Sequence, residues 1–405
     1  MRSKPLHILA VKWFLLSLAV GIIVGLSTTA FMKILDFGIT NSNNFYYPFL
    51  LPLGLFLNAL VIYYLFPKAD AHTTDKVIEY MKRFRRIPFL SVPKAFFLPM
   101  LTIASGGSAG REAPAADVGA GLGSKLGDIF RLTKEDKRKL GLCGISAGFA
   151  AVFGTPLAGA VLGVEILFAG SILYSALVPC LIAGITAYYV ASFLGINYFY
   201  HQINFVPMNQ LIIFEVIAAG IFFGACALIF IETMKSGKNI SDKIRLWFPA
   251  KALIAGIVLL LLVFVFSSKF LGLGTETIRS SIEGRPAEWH EFFTKGVFTS
   301  VTLNFGGSGG ILTPIFFSGS TAGAFFAETF SLDVGTFAAL GVIALLAGAA
   351  NAPLAAGVMG VELFGFAIAP YAIIVCAISF LINRKRSVFP SSLENTREIK
   401  KHTKR

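Results

Sequence analysis

The chain is short of charge. Asp, Glu, Lys and Arg make up only 14% of its 405 residues, whereas 55% are hydrophobic and the mean hydropathy is +0.74. Soluble domains carry about a quarter charged residues, so this balance excludes a soluble globular protein and indicates a polytopic membrane protein. Cysteine and histidine are also scarce. Cys143, Cys180, Cys226 and Cys376 fall in apolar stretches without metal-ligand spacing and read as small buried apolar residues. His7, His72, His201, His290 and His402 lie at or near loops or termini, and none belongs to an HExxH pattern. No metal, cofactor or membrane-embedded catalytic constellation is expected, and the chain does not read as an enzyme.

Acids are rarer than bases, 22 against 35, for a formal charge of +13. The distribution of this excess argues against nucleic acid as a partner. Lys and Arg gather at Arg2 and Lys4, in 68–94, 125–139 and 235–251, and in the C-terminal tail, while 36–48 and 193–210 carry none. Basic loops face the cytoplasm, so both termini are expected on that side of a prokaryotic inner membrane. No leader peptide is recognised, because the first hydrophobic stretch is too long and lacks a cleavage site. Nothing resembles an appended soluble domain.

Glycine and phenylalanine are abundant, with forty of each, and glycine favours close helix packing in lipid. Apolar stretches lie roughly at 8–35, 46–66, 95–105, 111–124, 140–169, 171–192, 211–233, 251–270, 292–303, 311–328, 335–367 and 369–382. Several fall short of the ~20 residues needed to cross the hydrocarbon core. Their Gly and Pro flanks suggest half-helices and re-entrant segments.

The glycines follow a pattern. Residues 106–124 read GGSAGREAPAADVGAGLGS, and residues 306–324 read GGSGGILTPIFFSGSTAGA. Gly106, Gly107, Ser108, Gly110, Pro114, Gly119 and Gly123 each recur 200 positions later. A second echo follows: TPLAGAVLGVEILF at 155–168 and APLAAGVMGVELFG at 352–365, with Pro156/Pro353 and Glu165/Glu362 each 197 apart. The chain is therefore an internal duplication. Its first glycine motif lies between basic loops and its second between poorly basic ones, so the copies are expected to enter from opposite faces as an inverted repeat. A parallel duplication is the alternative topology. The expected organisation is one transmembrane domain over 1–382, with repeats at roughly 8–195 and 211–382, and a short basic cytoplasmic tail at 383–405.

Glycine ahead of a half-helix lets the backbone approach an ion closely. The helix start then offers unpaired N–H groups and a partial positive charge, which together favour an anion. Pro114 and Pro314 suit the first turn of such helices. Glu112 stands where the second copy has Leu312, and an acid in an apolar membrane segment is a functional candidate by default. Burial disfavours its carboxylate and helix-start N–H groups favour it, which makes it a candidate titratable gate. The competing structural reading pairs Glu112 with its neighbour Arg111.

GREAP at 110–114, GGILTP at 309–314 and PLAGAVLGVEIL at 156–167 resemble the CLC family of chloride channels and proton-coupled chloride antiporters, in the family's order and over nearly the whole chain. The resemblance implies an all-α CLC-type inverted repeat of tilted and broken helices, assembled as a homodimer with one pore per subunit. It implies that Glu112 is the external gating acid and that backbone N–H groups around Arg111, Ala113, Ile311 and Leu312 meet the anion. Phe389 falls where the family usually has a tyrosine. AHTTD at 71–75 replaces the usual Gly-Ser-Gly-x-Pro segment, which makes His72 and Thr73 candidate pore-lining residues. Ile166 stands where many family antiporters carry the internal proton acceptor.

The expected function is chloride transport, or transport of a related small anion, coupled to counter-transport of protons. The alternatives are a passive voltage- or pH-gated channel, favoured by Ile166, and a fluoride- or nitrate-preferring protein, suggested by His72. The paired nucleotide-sensing modules of larger family members are not expected.

Overall fold

The computed structural model describes residues 6–42, 47–66, 73–167, 173–198, 200, 201, 203 and 210–393. The described residues form α-helices and short 3-10 turns and contain no strand. Eight helices have a counterpart roughly 200 residues later. α1 (Leu6–Ser42) corresponds to α9 (Gln210–Lys243), α2 (Leu50–Leu65) to α10 (Phe248–Val265), and the short α3 (Thr73–Lys82) to α11 (Thr275–Ile282). α4 (Ser91–Ala104) and α5 (Glu112–Ile129) match α12 (Glu291–Asn304) and α13 (Leu312–Thr329) with an offset of 200. α6 (Lys134–Phe153), α7 (Pro156–Glu165) and α8 (Tyr174–Phe193) match α14 (Val334–Ala350), α15 (Pro353–Phe364) and α16 (Ala369–Asn383). A last short helix, α17 (Pro390–Leu393), follows.

Among the described residues five helices are long and apolar enough to span a bilayer: those over His7–Thr40, Tyr174–Phe193, Gln210–Lys243, Phe248–Val265 and Phe366–Asn383. α4, α7, α14 and α15 are apolar but shorter. Each continuous stretch expected at 140–169 and 335–367 is in fact two helices. Gly154, in the left-handed region at φ 74°, closes α6, and Pro156 opens α7. Asn351 at φ 55° and Pro353 do the same between α14 and α15. Hydropathy runs straight through these joints, whereas the left-handed residue and the proline stop the helix. The starts of α6 and α14 are capped alike. Thr133 Oγ1 accepts from the Asp136 amide at 3.2 Å, and the Asp333 carboxylate accepts from the Thr336 amide at 2.8 Å.

The core of each repeat is the pair α5/α6 or α13/α14, in close backbone contact through small residues. A Cβ on Gly119 would collide with the Gly144 carbonyl, and one on Gly319 with the Gly341 carbonyl. This is the small-residue packing that replaces the hydrophobic driving force inside a membrane. All four cysteines are buried and unbridged, on α6, α8, α9 and α16. Large apolar side chains instead face outward, with Phe193 90%, Phe366 82% and Ile373 71% exposed, as a lipid-facing surface requires.

The two halves meet at the glycine breaks. Gly110 N–H donates to Gly310 O and Gly310 N–H to Gly110 O, both at 2.7 Å, in an isolated antiparallel bridge. Around it the bonds are exchanged in pairs. Ser108 N–H donates to Thr302 Oγ1 at 3.1 Å, and Ser308 N–H to Thr102 Oγ1 at 2.9 Å. Gly107 and Gly307 turn back onto Thr102 O and Thr302 O at 2.8 and 2.9 Å. This reciprocity relates the two copies by a pseudo-two-fold axis through the bridge.

Candidate functional site

The bridge brings the starts of α5 and α13 together at the centre of the molecule. Their first N–H groups have no carbonyl one turn back to bond, and the first return bonds are Ala115 N–H to Arg111 O and Ile315 N–H to Ile311 O. Two helix starts, each with its partial positive end, therefore point into one small region. Gly110 makes the approach possible, since a Cβ there would sit 2.8 Å from Thr313 Oγ1 and 3.1 Å from Thr313 N. Across the axis, Ala113 packs in the same way on Gly310.

Glu112 fills this region. Its side chain is buried, its Oε1 accepts from the Thr313 hydroxyl, and its Oε2 has no hydrogen-bond partner among the described residues. The amides of Glu112 and Thr313 also face the carboxylate. The acid thus lies where helix-start physics would hold an anion. The structural reading that paired it with Arg111 is not what is observed. The Arg111 guanidinium turns outward to Asp36 on α1, at 3.4 Å, and that carboxylate is 55% exposed.

Ala113, Ile311 and Leu312 are buried at the same junction. On one side Ile311 borders a cavity of about 990 Å³ between α2, α3, α9 and α10. Lys76, Lys235, Lys238 and Lys251 line it, against Asp75 and Asp242. Val388 and Pro390 also line it, while the ring of Phe389 between them is buried in the main core. Phe389 is held from both sides. Val388 N–H donates to Ala349 O at 2.9 Å. Asp75 accepts from the amide and hydroxyl of Ser391, each at 2.9 Å, and Lys82 donates to Ser391 O at 2.5 Å and Ser392 O at 3.0 Å. Thr73 opens α3. His72 lies outside the described residues.

Ile166 is buried in the core just past α7 and brings no polar group. The two duplicated acids cap each other's repeat. Glu165 accepts from the amides of Leu354 and Ala355 at 3.2 and 2.8 Å, and Glu362 from those of Leu157 and Ala158 at 2.8 and 2.7 Å. Thr313 and Asp117 were not singled out in the sequence. Thr313 occupies the place of Ala113 in the second copy, so the register of the repeat was the signal that would have pointed to it. Asp117 is a second buried acid on α5, and it accepts from Thr74 Oγ1 at 2.9 Å.

Comparison with known proteins agrees with this architecture. A chloride/fluoride channel protein of Pseudomonas syringae pv. tomato is 35% identical over 93% of this chain and 85% of its own length. The crystal structure of a CLC-type fluoride/proton antiporter superposes with a TM-score of 0.90 at 28% identity, covering 97% of this chain and all of the other. A slow cyanobacterial Cl-/H+ antiporter shares the fold, with a TM-score of 0.82 at 18% identity over 92% of this chain and 94% of its own. The family model described as "Voltage gated chloride channel" matches residues 53–384, and the chain belongs to that CLC family.

Proposed function

We propose that the protein carries a small halide, chloride or fluoride, across the membrane in exchange for protons, with Glu112 as the gate. One observation carries this reading: the Glu112 carboxylate lies between the starts of α5 and α13, bonded by Thr313, in the place those helix ends suit for an anion. Ionised, the carboxylate competes with the halide for the N–H groups. Protonated, it loses the charge they favour and yields the site. The backbone around Arg111, Ala113, Ile311 and Leu312 supplies the donors. The lysine-lined cavity ending at Ile311 concentrates anions at the inner mouth. His72 and Thr73 are the candidate lining residues of that mouth by sequence position, and Phe389 lacks the hydroxyl a tyrosine would offer there.

The same reading places the chain in the inner membrane as a homodimer. Both termini are cytoplasmic, and the transmembrane domain over 1–382 comprises repeats at 8–195 and 211–382 ahead of the tail at 383–405. Support comes from the basic loops flanking α5 and from the family. Fluoride stands beside chloride because the 35% identical relative is a chloride/fluoride channel protein and the 28% identical one a fluoride/proton antiporter. A second reading, passive conduction, is favoured by Ile166, which cannot accept a proton.

The deciding experiment reconstitutes the protein in liposomes under a chloride or fluoride gradient and records external pH and anion together. Exchange predicts that the anion gradient drives protons uphill. Anion flux without proton movement would leave the passive reading standing, and no flux of either anion would overturn both.

A further inference from the structure

After α16 the chain surfaces and then turns back inside. Arg384, Lys385 and Arg386 are exposed, whereas Ser387, Phe389, Ser391 and Ser392 are buried. α17 has only four residues, and a helix that short has no stability of its own, so other elements must hold this turn. On one side α14 does so. Val388 N–H and the Ser387 hydroxyl both donate to Ala349 O, at 2.9 and 3.2 Å. On the other side stands α3. Asp75 Oδ1 accepts from the Ser391 amide and Oδ2 from the Ser391 hydroxyl, each at 2.9 Å. The Ser392 amide and hydroxyl both donate to Phe389 O, at 2.9 and 2.7 Å, which ties the anchored serines to Phe389. We propose that Asp75 is a positioning residue for an inner barrier: its two-point hold on Ser391 keeps the 387–391 turn, with Phe389, shut between the inner cavity and the Glu112 site. This rests on the exchange reading above.

The turn stands where such a barrier is needed. Ser387, Val388 and Pro390 line the inner cavity together with Ile311, the residue just ahead of α13. The buried Phe389 ring belongs to the same core as Ile311 and Leu312. Exchange requires the anion to pass this point only in step with Glu112, so slack in the turn converts exchange into leak. The hold is made by a carboxylate, and charge-assisted bonds are roughly twice as strong as neutral ones. Lys82, two turns along the same face of α3, donates to Ser391 O and Ser392 O. Thr74, next to Asp75, donates to Asp117 of α5 at 2.9 Å. One short helix thus bridges α5, which begins at Glu112, and the turn that carries Phe389.

The test uses the full chain in liposomes under a potassium chloride or potassium fluoride gradient, with proton and anion flux read together. Asp75→Asn leaves an oxygen for one Ser391 donor but sets an NH2 group against the other. The expected result is anion flux raised about tenfold, the factor equivalent to one hydrogen bond to a charged group, without a rise in proton flux. The proton-to-anion ratio then falls by the same factor. Ser391→Ala loses only the hydroxyl bond and is expected to lower the ratio by less. The double variant Asp75→Asn/Ser391→Ala is expected to lower it no further than Asp75→Asn, because both act on one contact. Asp242→Asn removes an acid from the same cavity while both Ser391 donors keep Asp75, and it is expected to leave the ratio as in the wild type.

An unchanged ratio in Asp75→Asn, or a parallel loss of both fluxes, overturns the assignment, since a purely structural part acts through the amount of folded protein alone. An equal fall in Asp242→Asn also overturns it, in favour of cavity charge. A wild type that moves no protons overturns the exchange reading, and anion flux then decides the assignment separately. A tenfold rise in Asp75→Asn that Asp242→Asn does not match upholds it, and any other result contradicts it.

Discussion

At the scale of single residues, the site turns on how Glu112 is held. The acid itself was legible in the sequence, because a carboxylate in a glycine-rich membrane segment is costly and its place in the duplicate is taken by Leu312. Its partners were not legible. Thr313 reaches it from 201 residues away, and Asp36 draws Arg111 off it from α1. Sequence adjacency favoured an Arg111–Glu112 pair, but the fold supplies Arg111 with an exposed carboxylate and Glu112 with a hydroxyl. The role of Thr313 gives a residue-scale prediction. Thr313→Val removes a donor to a charged acceptor, worth about 1.5 kcal/mol or more, and so weakens the hold on the carboxylate that blocks the anion. Anion efflux at neutral pH is expected to rise about tenfold, the rate equivalent of that energy. Unchanged efflux in vesicles of matched protein content would mean that this hydroxyl does not restrain the gate.

Among the elements, the half-helices were foreseen from short apolar stretches flanked by Gly and Pro. The joints at Gly154–Pro156 and Asn351–Pro353 were missed, because hydropathy does not sense a left-handed residue. The short helices α3 and α11 were also missed. They lie in loops rich in charge, and α3 matters through side-chain bonds to α5 and α17 that no periodicity reports. Glu165 and Glu362 were recognisable in the sequence as a duplicated pair. The structure shows what they do, since each closes the start of the other repeat's helix. Replacing either carboxylate with Gln turns one oxygen into a donor facing an amide, at a cost of about 1–3 kcal/mol. Glu165→Gln and Glu362→Gln are each expected to lower the thermal midpoint in detergent by several degrees while leaving anion selectivity unchanged. A change in halide preference with no loss of stability would contradict a purely capping role.

For the whole molecule, the duplication was visible as two motifs recurring at one offset, and loop charge set their opposite sense before any geometry was known. The exchanged bonds of Gly110 with Gly310 and of Ser108 and Ser308 with the two threonines could not be read from sequence, because they join residues some 200 apart. An inverted repeat makes equivalent loops face opposite compartments. Arg131 and Ser331, exposed at the ends of α5 and α13 with φ of 51° and 55°, form such a pair. The native cysteines are buried, so Arg131→Cys and Ser331→Cys should react with a membrane-impermeant thiol reagent from the cytoplasmic and external sides respectively. Labelling of both from one side would mean a parallel arrangement. The most direct test of the account as a whole is halide efflux from liposomes as a function of pH, compared between the wild type and Glu112→Gln. If Glu112 is the gate between the two helix starts, the wild type responds to pH and Glu112→Gln conducts with that response abolished and without proton movement. A pH response that survives unchanged in Glu112→Gln would contradict the account.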